Sequence, residues 1–126
     1  MTREEFDEFC ASLPHTTHVV QWGDASVWKI GGKIFTVGGW NEKEDAFCVS
    51  FKTSDISFEI LSEQSGCRPT PYLASPGMKW IQRTSEDTLS DNDLRDYLTE
   101  SHKIVVSGLT KKLQLELGLL PEKDTP

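Results

Sequence analysis

The chain lacks a long apolar run, a cysteine framework and the short motifs of common catalytic machinery, and each absence removes a class of function. No stretch of its 126 residues approaches the length of apolar sequence that spans a bilayer, so no membrane partner is expected. MTREEFDEF at the start has neither the apolar core of a signal peptide nor the arginine-rich, acid-poor character of a transit peptide, which points to a cytoplasmic location. Cys10, Cys48 and Cys67 are odd in number and far apart, a pattern of reduced, partly buried thiols and not of disulfides or zinc ligands. His15 and His18 in HTTH have no cysteine or carboxylate pair at a matching spacing, so no metal site is read, and no cofactor. There is no G-x-S-x-G elbow, Walker loop or H-E-x-x-H, and the sequence is read as that of a non-enzyme.

What is present fits one folded unit. Apolar residues make up 37% and aromatics 10%, enough for a single core in a chain of this length. We expect one domain over 1–120, a frayed tail over 121–126, and a monomer. Twenty acidic against thirteen basic residues give a net charge of −7, which opposes nonspecific attraction to nucleic acid over the molecule as a whole.

The pattern along the chain is helix, strands, helix, strands, helix, an α+β fold with an antiparallel sheet packed by helices. Thr2 and Glu5 form a capping box before Phe6, Phe9, Cys10 and Leu13, which recur at helical spacing until Pro14. Runs rich in valine, isoleucine and aromatics from Val19 to Phe51 predict a meander of about four strands, broken at Trp22-Gly23-Asp24, at Gly31-Gly32 and from Asn41 to Asp45. Ser54 caps a second helix that should run to Gly66 with Ile56, Ile60 and Leu61 inward. CRPTPYLASPG reads as a loop feeding the strand MKWIQR, with Tyr72 and Trp80 helping to close the core. Ser90 and Asp93 cap the last long helix, with Leu89 stapled to Leu94 and an inward stripe of Leu94, Tyr97, Leu98, Ile104 and Val105. Gly108 breaks it before a shorter terminal helix.

The stretch WKIGGKIFTVGGW, Trp28 to Trp40, could cradle a phosphate or turn a sheet. A phosphate loop needs a helix directly after its glycines, and here the β-branched and aromatic run KIFTV follows instead. Gly31-Gly32 is therefore a two-residue hairpin turn, and an unbroken register sets Trp28 opposite Phe35 and Val27 opposite Thr36. Trp28, Ile30, Phe35 and Val37 then share the core face, with Lys29 and Thr36 opposite. Gly38-Gly39 is expected to let the next strand edge turn.

Charge distribution says more than total charge. Acids are absent from Ala25 to Asn41, Gln64 to Ser85 and Ser101 to Leu115, and these windows hold eight of the thirteen basic residues. If they converge, they make a local basic surface able to contact phosphates, with Lys29, Lys33, Lys79, Arg83, Lys111 and Lys112 as candidate DNA contacts. The alternative is a protein or small-molecule partner, for which Trp22, Trp40, Tyr72 and Trp80 are the pocket candidates. Converging windows favour DNA, and exposed tryptophans rimming a cleft favour a ligand.

QWGD after the first helix, the WKIGGKIF hairpin, PTPYLASPGMKWI and LRDYLTESHKIVVSGLTKKLQ together resemble the MmcQ/YjbR family, over roughly Thr2 to Leu117. Where that family often has serine-tyrosine, this chain has Ser101-His102, and Thr110 stands where proline is frequent. The resemblance implies a secretion-chaperone-like α+β fold described as a double wing, and a DNA-binding role; it brings no catalytic residues.

Overall fold

A computed structural model describes residues 1–71 and 79–119. Tyr72 and the 121–126 tail lie outside the described residues. The element order is α1 (Arg3–Ser12), β1 (Thr16–Gln21), β2 (Ala25–Ile30), β3 (Lys33–Asn41), β4 (Ala46–Lys52), α2 (Asp55–Leu61), β5 (Cys67–Pro69), β6 (Trp80–Arg83), α3 (Asp91–Ser107) and α4 (Lys111–Glu116). The strands form one antiparallel sheet in the order β1-β2-β3-β4-β6-β5, so the fold is α+β. No described helix is long and apolar enough to cross a membrane.

The capping residues read from the sequence start the helices. Thr2 and Glu5 close a reciprocal box on α1, Ser90 and Asp93 do the same on α3, and the Ser54 and Thr110 hydroxyls cap α2 and α4. Each satisfies backbone N–H groups that the first helical turn leaves without partners.

One sheet face is covered by helices. Phe6 and Cys10 of α1, Leu61 of α2, Leu94, Leu98 and Val105 of α3 and Leu109 beyond it pack on Trp28, Ile30, Phe35, Val49, Phe51 and Ile81. Ser101 and His102 join this layer and Tyr97 packs against it as expected, whereas Ile104, also expected inward, is not part of it. The Ser101 hydroxyl donates to the Lys52 carbonyl at 2.6 Å, and His102 Nε2 donates to the Pro14 carbonyl at 2.8 Å. Its ring meets Phe35 edge-on at 5.5 Å. Such polar residues are tolerated inside because every partner is supplied, which apolar periodicity does not reveal.

Three readings need correction. The hairpin turns at Gly31 (φ 59) and Gly32 (φ 79), but a bulge between Trp28 and Lys29 shifts the register, so that Trp28 faces Thr36 and Val27 faces Val37. Phe35 is the extra residue, Thr36 becomes fully buried with its hydroxyl on the Ser50 carbonyl, and Val37 moves to the opposite face. Gly38-Gly39 turns nothing: both lie inside β3, opposite Val49 and Cys48. Finally, α2 stops at Leu61, and Phe58 and Leu61 face inward while Ile56 and Ile60 are exposed. Two turns packed over β5 and β6 leave positions 56 and 60 on the far side.

Candidate functional site

The other sheet face carries no helix among the described residues, and its composition follows from strand alternation. One row crosses all six strands by direct pairing: Val19, Val27, Val37, Ser50, Gln82 and Arg68. It is apolar over β1 to β3 and polar from β4 onward. The next row holds Ala25, Gly39 and Cys48, where a Cβ on Gly39 would only reach ordinary contact with Ala25 at 3.8 Å. Small residues in that row leave a hollow of about 630 Å³. This volume lies within the range of about 300–1,000 Å³ usual for small-molecule sites.

Trp22 and Trp40 both line the hollow, and each is 62% exposed. Trp22 has φ 53 and is followed by Gly23 at φ 71 and Asp24 at φ 77, so the β1–β2 turn holds a bulky residue in the left-handed region. That conformation is uncommon for a side chain of this size and fixes the ring at the rim. Asn41, Ser50, Thr70 and Gln82 supply the polar lining. Gln82 Oε1 accepts from Arg68 Nε at 2.8 Å, and Arg68 pairs with Glu44 at 3.6 Å. Burial, reinforced by Glu44, pushes the Cys48 thiol up, so it stays protonated at neutral pH. Trp80, expected at a pocket, is 4% exposed and does not line this one.

The basic candidates divide. Lys33 follows the Gly31-Gly32 turn and Lys29 precedes it, and Gly31 lies against Leu109 and Leu113, which brings α4 with exposed Lys111 and Lys112 alongside. The Lys79 carbonyl accepts from Thr53 N–H just beyond β4, at the same end of the sheet as the turn. Two strand spacings put that end of β6 roughly 10 Å from the start of β3. Five candidates thus sit at one end of the sheet, and none forms an ion pair among the described residues. Arg83 does not join them. It is 5% exposed, on the helix-covered side, and holds Asp91 at 2.9 Å and Glu86 at 3.3 Å, so its charge is spent within the fold.

A serine, histidine and aspartate also meet, without the order of a catalytic triad. Buried Ser26 donates its hydroxyl hydrogen to Asp7 and therefore accepts from His18 Nε2, at 2.7 Å, while Trp28 Nε1 donates to Asp7 at 2.9 Å. A nucleophilic serine would give its proton to the imidazole; here donation runs the other way, and the cluster ties α1 to β1 and β2. His15 is exposed, and no three of His, Cys, Asp and Glu stand together as a metal set among the described residues.

Comparison with known proteins places this arrangement. No curated protein matches. A Deinococcus radiodurans protein with the domain DUF419 superposes with a TM-score of 0.79 at 24% identity, over 94% of this chain and 89% of that one. A Pseudomonas syringae protein superposes with a TM-score of 0.66 at 16% identity, over 82% and 98%. At these identities the likeness is one of fold. The sequence profile of YjbR matches residues 11–104, well over half the length, and the chain belongs to the YjbR family.

Proposed function

We propose that this protein is a binding module, not an enzyme, and that its site is the hollow on the helix-free sheet face. The observation that carries the reading is the pair of tryptophans, each 62% exposed, at the rim of a 630 Å³ cavity. Large aromatic surface left in water is unfavourable unless something covers it, and an apolar cavity with a few convergent polar groups is the usual form of a small-molecule site. The test is a fragment screen on the 15N-labelled protein. Small uncharged rings should shift the indole N–H signals of Trp22 and Trp40 but not those of Trp28 and Trp80. A screen in which no fragment moves either rim signal would refute the reading.

Binding of DNA is the second reading, favoured by the placement of Lys29, Lys33, Lys79, Lys111 and Lys112 at one end of the sheet. Such a site would contact phosphates without base readout, and its affinity would fall steeply with salt. Lys33→Glu with Lys79→Glu is the informative variant, because Arg83 is buried and its replacement would report folding instead. Duplex binding in low salt that this double variant abolishes supports the reading; no binding in low salt removes it.

A further inference from the structure

The polar lining of the hollow is one-sided, and this narrows what it can hold. Two carboxamides reach it, Asn41 and Gln82. Arg68 Nε donates to Gln82 Oε1 at 2.8 Å, and the Glu44 backbone N–H donates to Asn41 Oδ1 at 3.2 Å. A guanidinium and a backbone N–H can only donate, so both contacts fix the oxygen end of the carboxamide and leave the NH2 end without a partner among the described residues. Among the described residues no charged side chain lines the hollow, and Arg68 and Glu44, which border its carboxamides, are bound to each other. An ionised ligand would lose hydration without gaining a counter-charge.

We propose that the hollow takes an uncharged planar ring bearing carbonyl or ring-nitrogen acceptors, covered by Trp22 and Trp40 and held by the NH2 groups of Gln82 and Asn41. Flat π-surfaces at the rim select a ring, and donors inside select acceptors. This rests on the reading of the hollow as a binding site, and the experiment separates the two.

The 15N-labelled full chain is titrated with three probes: caffeine, a neutral planar ring with acceptors and no donors; 1-methylindole, neutral and planar without a comparable acceptor; and the carboxylate-bearing theophylline-7-acetate. Caffeine should shift the side-chain NH2 signals of Gln82 and Asn41 together with the Trp22 and Trp40 indole signals, with a Kd of about 1 mM or tighter, as befits a ligand of its size. The other two probes should bind several-fold more weakly. Gln82→Glu keeps size and can still pair with Arg68 but replaces the donor by an acceptor. It should weaken caffeine by about tenfold while leaving 1-methylindole unchanged. If 1-methylindole binds as well as caffeine and Gln82→Glu alters neither, the ligand class is wrong while the site stands. If no probe moves the rim signals, the site itself is wrong.

Discussion

The two faces of the sheet are built from the same strands, yet they divide the work of the molecule. Val49 and Phe51 of β4 point into the helix-covered core, while Cys48 and Ser50 between them floor the hollow. On β6, Arg83 is locked into ion pairs on the helix side, and its neighbour Gln82 offers an amide on the bare side. In β3, Gly38 is pressed on by aromatic rings, while a Cβ on Gly39 would meet only Ala25 at ordinary contact distance. Alternation therefore lets one short segment carry stability and recognition on neighbouring residues, and substitutions one position apart should separate them.

The widest separation should come from Phe51→Ala set beside Trp40→Ala. Phe51 is fully buried among α3 side chains, with Tyr97 at 5.6 Å, and its truncation should cost about 3–5 kcal/mol. Trp40 is 62% exposed, and its truncation should cost no more than about 0.5 kcal/mol while removing a rim contact of the hollow. Denaturant unfolding of the two variants measures both. Similar losses would mean that the bare face also carries the fold.

Asp91→Asn tests the helix side at its polar margin. Burial by itself raises this carboxyl, but hydrogen bonds and charge from the Met1 ammonium at 3.0 Å and Arg83 at 2.9 Å outweigh it and hold Asp91 below its ordinary range. Removing its charge leaves the guanidinium with exposed Glu86 and should cost about 2 kcal/mol. Because the folded pKa is the lower one, the stabilisation is complete above the unfolded value of about 3.9 and disappears as pH falls through the folded value. The deficit of the variant should hence be constant at neutral pH and close up only in acid. Gln82→Asn on the other side of the strand should show no such acid dependence.

What could be read from the sequence is what local chemistry determines. Caps such as Thr2, Ser54 and Ser90 and the Gly31-Gly32 turn depend on a few adjacent residues, and they stand where the pattern put them. The bulge at Trp28/Lys29 depends on packing across the sheet, and missing it put Val37 on the wrong face. Trp22 and Trp40 stand among the pocket candidates together with Tyr72 and Trp80, and no local signal separates the exposed pair from buried Trp80. Gln82 and Asn41 carried no signal: their meaning comes from Arg68 and Glu44 and from strand neighbours distant in sequence. Basic windows located Lys33 and Lys79 but could not separate them from Arg83, whose burial is set by the start of α3.

The adjacent glycines of β3 give a finer test of the same division. A Cβ on Gly38 would lie 2.5 Å from Phe47 Cζ and 2.8 Å from Phe6 Cε2, closer than real contacts allow, with Phe6 itself fully buried. Gly38→Ala should then cost roughly 1–2 kcal/mol through forced repacking. Gly39→Ala meets only Ala25 at 3.8 Å, so the residue gains β propensity and should fold at least as well, while its methyl shallows the hollow. Thermal unfolding distinguishes them, and equal destabilisation would show that Gly39 is also packed against.

The smallest effect is expected at Trp22, and its sign is the informative part. The residue holds φ 53 in a turn where Gly23 and Asp24 are also left-handed, and its ring is 62% exposed, so it gives the fold little packing in return for its conformation. Trp22→Gly relieves that strain, and the flexibility that glycine adds to the unfolded chain offsets part of the gain. Net stability should be unchanged or raised by up to about 1 kcal/mol, and higher than that of Trp22→Ala, which keeps the strain without the ring. Both variants should lose the ring-binding response of the hollow. A protein that becomes no less stable when a tryptophan is removed, yet loses its ligand, keeps that tryptophan for recognition; a loss of more than about 1 kcal/mol in Trp22→Gly would instead make the rim part of the core.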